Sequence, residues 1–359
     1  GPPAGRPGPV WRSGPPRPPD RRGAAAAPRR PHGKSQPPPL PLTDRHVLKD
    51  CHAGETNPPP LMTQLLAVLH GKEETFPPAL VSEINSRQKT VRAEIIEVAS
   101  VEALERSPFR WFVDRISSQV GYFASLLRQQ QLLGAGCSPS LELQTLDRVG
   151  LAQLALQARV ACLPTILLPH HSHPAGVVGE DLGNLAYPMP WETYVERVGL
   201  PGALRPAGLG QGPAQTFNSL SELWHLYGRS GDRLQVVQPD VGEGEHCMVL
   251  PMGDHWEVLG YDPIRGSYRP LPEGQQQAAR KATLPLSQRL DLFLCGVEWV
   301  WHRSKLWLYD VHRCPNLDWW SLGEEPFQLL VESCARECIA RIRAREKGTS
   351  KTRTPSPAH

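Results

Sequence analysis

Nowhere in the 359 residues does an apolar run reach the roughly 18 positions that a membrane-spanning helix needs, so no such span is expected. The chain also lacks a strong charge of either sign. Its formal net charge is +3, with the excess mostly at the ends, which leaves no nucleic-acid footprint. None of the eight cysteines forms a Cys-x-x-Cys pair, and several sit inside apolar runs, as Cys162 and Cys295 do. Free buried thiols are the reading, and with no visible signal peptide a reducing cytoplasmic or nuclear compartment is expected. Methionine is scarce, at four. The chain opens on Gly1 and the first methionine is Met62, which leaves open a targeting segment ahead of Gly1.

Proline is abundant, at 39, and it crowds the first block. Residues 1–60 are dense in Pro, Gly, Ala and Arg and hold almost no aliphatic cluster. Such a segment cannot bury enough apolar surface to offset its ordering entropy, so it is expected to be disordered. An α/β domain is expected over 61–347, and a second polar tail over 348–359.

Within the domain, 62–70 and 109–133 read as helices around a strand at 92–98. A further helix spans 142–161, stopped by Pro164, and Thr165-Ile166-Leu167-Leu168 follows as a buried strand. A helix at 217–227, a turn and the strand Leu234–Val237 repeat the cycle. Strands at 247–250 and 256–261, a helix over 286–301, the strand Leu306–Tyr309 and a terminal helix over 325–345 complete it. Alternating helices and apolar strands point to a (β/α) TIM-barrel-like fold, complete or incomplete, with an open doubly wound parallel sheet as the alternative. Ile166, Leu167, Leu168, Val236, Val237, Leu306 and Leu308 are the expected buried residues of one parallel sheet.

Several groups could carry chemistry. Gly208-Leu-Gly210-Gln-Gly212 is a glycine-rich run of the kind that admits close backbone approach to a nucleotide. It is preceded by Pro201-Gly-Ala-Leu-Arg-Pro-Ala, which does not read as the required strand, so a surface linker is expected. Three histidines crowd 170–173, but ligands so close along an extended chain point to opposite faces. Cys247 and His255 lack the context of a thiol hydrolase, and this is the weakest enzymatic reading. In a barrel-type enzyme the polar residues after the strands would act: His170, His171, Asp240, Glu243, Asp262, Asp310 and His312. Ten tryptophans are mostly core material, with Trp319-Trp320, in a loop, as a partner-facing anchor.

From Leu143 onward the order of features resembles the N-terminal TIM-barrel domain of the protein arginine methyltransferase 5 family. The residues that carry this are Leu163-Pro164-Thr165-Ile166-Leu167-Leu168-Pro169, then Trp224-His225-Leu226-Tyr227 running to Leu234-Gln-Val236-Val237. Trp256-Glu-Val-Leu259-Gly260 with Pro263-Ile264, and Gln288-Arg289-Leu290, extend it, so that it covers residues 107–312. The resemblance implies a non-catalytic domain that docks a WD-repeat protein and substrate adaptors and helps a homo-oligomer assemble. S-adenosylmethionine would bind a following domain that this sequence lacks, so the resemblance puts no catalytic, cofactor or metal residue here. An independent enzyme with a strand-end active site is the alternative.

Overall fold

A computed structural model describes residues 46–47 and 63–351, apart from 174, 187 and 243. Most of the head expected to be disordered, and the last eight residues, lie outside the described residues. Among the described residues the longer strands form three sheets.

The first sheet is parallel. It contains β1 (His46–Val47), β2 (Gln64–His70), β3 (Val91–Glu97), β4 (Trp111–Arg115) and β5 (Gly136–Ser138), in the order β1-β3-β2-β4-β5. The central strand is β2, whose Leu66, Ala67 and Val68 are wholly buried. A strand covered on both faces needs an apolar side chain at every position. The helix expected over 62–70 is therefore a strand, since a continuous apolar run carries neither the helical nor the alternating period. The long helix expected over 109–133 divides for the same reason into β4 and α2 (Gly121–Leu132). Helix α1 (Phe76–Arg87) covers one face of the sheet and α2 the other. The N-terminus of α1 has no side-chain cap of its own. Asp318, from the far end of the chain, accepts from Thr75 N and Thr75 Oγ1, each at 2.9 Å.

The helix expected over 142–161 is two. Leu146 is extended after α3 (Leu141–Thr145), and Asp147 starts α4 (Arg148–Gln157) by accepting from Gly150 N at 2.7 Å.

The second sheet is antiparallel, with β6 (Ile166–Leu168), β7 (Gly202–Pro206), β8 (Gln215–Phe217) and β9 (Gln235–Pro239) in the order β6-β9-β7-β8. Helices α5 (Trp191–Val198) and α6 (Leu220–Gly228) pack against it. The third sheet is also antiparallel: β10 (Glu245–Met252), β11 (His255–Asp262), β12 (Ser267–Arg269), β13 (Gly296–His302) and β14 (Lys305–His312), ordered β12-β11-β10-β13-β14. Helix α7 (Glu273–Ser287) covers one side of it, and α8 (Trp319–Leu322) and α9 (Glu324–Lys351) cover the other.

This topology is no barrel. Ile166 to Leu168 and Val236–Val237 pair antiparallel in one sheet, whereas Leu306 and Leu308 belong to another. Leu167 is 40% exposed, because β6 is an edge strand. Short apolar runs read alike in parallel and antiparallel sheets, which is why the expectation failed. The open parallel alternative holds for the first sheet alone. The helix expected over 286–301 is a buried irregular segment, Leu290–Cys295, leading into β13.

Candidate functional site

Strands β13 and β14 turn through Arg303 and Ser304, both at positive φ (51° and 61°), as a tight hairpin demands. The hairpin sets Glu298 directly opposite Asp310. Both are 2% exposed. Like charges so paired destabilise a sheet unless other groups neutralise them. Four groups do so here. His246 Nδ1 and His312 Nε2 lie 2.6 Å from the two oxygens of Glu298. Arg148 Nη2 and Arg205 Nη2 donate to Asp310 Oδ2, at 2.5 and 3.0 Å.

Each partner arrives from a separate element. Arg148 opens α4, and it also donates to the carbonyls of Pro206, Gly208 and Gln211. Arg205 lies within β7, stacks on the Tyr309 ring at 3.9 Å, and donates to Gln238 Oε1 and Tyr309 O. The glycine-rich run follows β7 directly, and Gly210 N donates to Asp310 Oδ1 at 3.2 Å. Gly210 and Gly212 sit at φ +65° and +56°, where a side chain is strained. The surface linker expected there is thus a loop that follows a strand and folds onto a buried acid.

Burial would push the Glu298 carboxyl up, but the bonds and charge of His246 and His312 outweigh it and hold it at about 2. Burial pulls His312 down, yet Glu298 leaves it above its ordinary value. Burial lowers Arg148, with Asp310 opposing and the neighbouring Arg205 adding to it. The Nε atoms of Arg148 and Arg205 are buried without a hydrogen-bond partner among the described residues. Two guanidiniums with unused donors beside backbone amides suit an oxyanion such as a phosphate. Glu298, Asp310 and His312 each bring a ligand atom within 4.8 Å of the others, a set that fits a divalent cation. A cavity of about 750 Å³ opens beside this cluster, walled by Glu245, His246, Tyr261, Tyr268 and Arg269.

Of the strand-end candidates, the structure brings together Asp310 and His312. Asp240 caps its own loop, accepting from Thr216 Oγ1 and Gly242 N, and Asp262 caps the β11–β12 turn. His170 and His171 follow β6, with the His171 ring edge-on to Tyr227. Glu243 lies outside the described residues. Trp319 is half-buried against the core and Trp320 is exposed, both in α8 rather than a loop. Cys247 is buried in β10, and burial pushes its thiol up. Arg148, Arg205, His246 and Glu298 escaped the sequence reading. The signal for Glu298 is a lone acid in the apolar run Leu292 to Trp301, matched by Asp310 in Leu306 to Val311.

No family model matches the sequence, and no curated protein matches it. Solved structures do match in fold. The RimK domain ATP-grasp protein of Sphaerobacter thermophilus aligns with a TM-score of 0.57 at 14% identity, over 76% of this chain and 98% of that one. D-cycloserine synthetase DcsG aligns at 0.55 and 15% identity, over 76% and 99%. The D-alanine–D-alanine ligase of Bacillus anthracis, complexed with ATP, aligns at 0.54 and 13% identity, over 80% and 100%. The fold is that of the ATP-grasp proteins. The resemblance to the methyltransferase 5 barrel does not hold, because its matches were short apolar segments that here lie in two antiparallel sheets.

Proposed function

We propose that the chain is an ATP-dependent ligase-type enzyme that binds ATP where Arg148 and Arg205 meet Glu298 and Asp310. The observation that carries this reading is the convergence of Arg148, Arg205 and the Gly208–Gly212 loop on the paired carboxylates Glu298 and Asp310. The fold of an ATP-complexed ligase supports it. The non-catalytic binding role expected from the sequence is set aside, because the ATP-grasp likeness and this buried charged cluster replace the barrel on which it rested.

The chain's own residues divide the work by charge. Arg148 and Arg205 hold the triphosphate, presenting a planar fork of donors to its oxygens. With the arginines turned to phosphate, Asp310, Glu298 and His312 are the residues that would hold a divalent cation. That cation, when bound, supplies positive charge against the phosphate oxygens. The Gly208–Gly212 loop lifts from Asp310 and lends backbone N–H groups to the phosphates. His246 keeps the Glu298 carboxylate turned toward the site. The acceptor substrates lie in the cavity beside His246 and Tyr261, which is lined by both signs of charge, Glu245 and Asp262 against Arg265 and Arg269. A ligase of two amino acids joins a carboxylate to an amine while ATP is cleaved to ADP, one carboxylate oxygen leaving in the inorganic phosphate, and that is the reaction class assigned here.

Calorimetry with ATP and a divalent cation tests the reading. Micromolar-range binding is expected, and Arg205→Ala should weaken it by about tenfold or more, since a hydrogen bond to a charged group is worth roughly 1.5–3 kcal/mol. Release of ADP should then depend on adding amino acids. ATP that fails to bind, or binds equally well to the variant, sinks the proposal.

A further inference from the structure

The cation site just described is built partly of nitrogen. We propose that His312 ligates the cation through its imidazole and that the site consequently prefers Mn²⁺ to Mg²⁺, an inference that rests on the nucleotide reading for the cation's role but not for the site's geometry.

Four observations lead there. Asp310 and His312 are two apart on β14, so their side chains leave the same face of the sheet. The hairpin brings Glu298 onto that face from β13, and the ligand atoms of all three lie within 4.8 Å of one another. The His312 Nε2 that would bind the cation already faces Glu298 Oε2 at 2.6 Å. Its ring is held by an edge-on contact with Tyr261, with centroids 5.6 Å apart. The imidazole is therefore fixed in place rather than free to swing out.

His246 has a different part. It bonds the other oxygen of Glu298, Oε1, and its ring lies edge-on to Tyr309. It orients the carboxylate and does not enter the three-atom ligand set.

Donor chemistry then separates Mn²⁺ from Mg²⁺. Mg²⁺ is a hard ion that takes oxygen ligands in a near-ideal octahedron and keeps several waters. Imidazole suits the transition metals, and a mixed set of two carboxylates and one imidazole suits Mn²⁺ better than Mg²⁺. A purely oxygen site could have been built at this strand end with an Asp or Asn in place of His312, and such a site would lack this bias.

The test is paramagnetic resonance on the full chain with Mn²⁺, with and without ADP. Nitrogen modulation of the bound Mn²⁺ signal is expected, and it should change to the ¹⁵N pattern when the histidines are ¹⁵N-labelled, with no substitution made. The modulation should survive His246→Gln and vanish in His312→Asn. Displacing Mn²⁺ should take at least about tenfold more Mg²⁺ in the native chain, and that ratio should fall toward unity in His312→Asn. Mn²⁺ that binds without nitrogen modulation overturns this proposal and leaves the nucleotide reading standing. Nitrogen modulation in a chain that shows no calorimetric binding of ATP supports it and overturns the nucleotide reading. If Mn²⁺ does not bind in either state, the proposed ligation is wrong.

Discussion

Glu298 and Asp310 are cross-strand neighbours in register, two carboxylates side by side in a sheet that hides both from solvent. Each is neutralised by its own pair of cationic or imidazole partners, and the pairs come from four different elements. A core does not need such an arrangement, since apolar residues of similar volume would pack there at no desolvation cost.

Asp310→Asn should therefore be severe. It leaves Arg148 and Arg205, both nearly unexposed, as two adjacent buried cations without their shared counter-ion. Breaking one side of a buried ion pair costs about 3–5 kcal/mol. Urea unfolding should show a loss of that order, and ATP with a divalent cation should stabilise the variant less than it stabilises the native chain. A loss under about 1 kcal/mol would mean that the arginines find other partners.

Gly210→Ala should weaken nucleotide binding and the fold together. At φ +65° any side chain pays for the left-handed backbone, about 1–2 kcal/mol. The new methyl would meet only ordinary contacts, 3.6 Å from His312 Cα at the nearest, so the backbone conformation alone carries the cost. Gly208→Ala is the comparison, since its obstacle is only the flexible Gln211 side chain. Equal losses from the two substitutions would argue against a special conformation at Gly210.

How much of this was legible in the sequence follows from these same residues. Strands β3, β6, β9, β10, β11 and β14 and helices α6 and α9 are legible as apolar runs, and Asp310 and His312 as polar residues ending a strand. Glu298 was lost because Leu290, Phe293, Leu294 and Val297 mimic a helical face while lying in a buried loop and a strand. Arg205 was lost because Gly-Ala-Leu-Arg-Pro does not look like a strand. Gly202 is there because a Cβ would lie 2.2 Å from the Phe217 ring, so a tertiary contact chose a poor strand former. Nothing in the sequence marks Arg148 as buried, and only the fold reveals it. A resemblance resting on short apolar segments could not tell one sheet type from another.

Acid should weaken the native chain through Glu298. Its carboxyl titrates at about 2 when folded, against an ordinary value of 4.5, so its stabilising share is complete above 4.5 and is lost as pH falls toward 2. His312 is raised from 6.5, so its share is complete below 6.5 and is lost as pH rises through its folded value. Asp310 and Arg148 also face His312, the first raising it and the second lowering it, and the Tyr261 ring lies edge-on to it. The unfolding free energy of the native chain minus that of Glu298→Gln should peak between about pH 4.5 and 6.5, at roughly 2–3 kcal/mol, and narrow on either side. Urea titrations at about pH 3, 5.5 and 8 would show it, and a difference that stays flat across them would mean the two histidines are not bonded to the acid as described.

Arg205→Lys separates the guanidinium's structural duty from its proposed one. Lysine keeps the charge beside Asp310, but it loses the planar fork that bonds Gln238 Oε1, Tyr309 O and Asp310 Oδ2 together, and it loses the stack on Tyr309. The stability loss should be modest, about 1–2 kcal/mol, because the ion pair survives. ATP affinity should fall further, by about tenfold to a hundredfold, because an ammonium cannot present two parallel donors to a phosphate. Calorimetry and urea unfolding on the same preparation give both numbers. If stability falls and affinity does not, Arg205 is a counter-ion for Asp310 and nothing more, and the phosphate must be held by Arg148 and the loop alone.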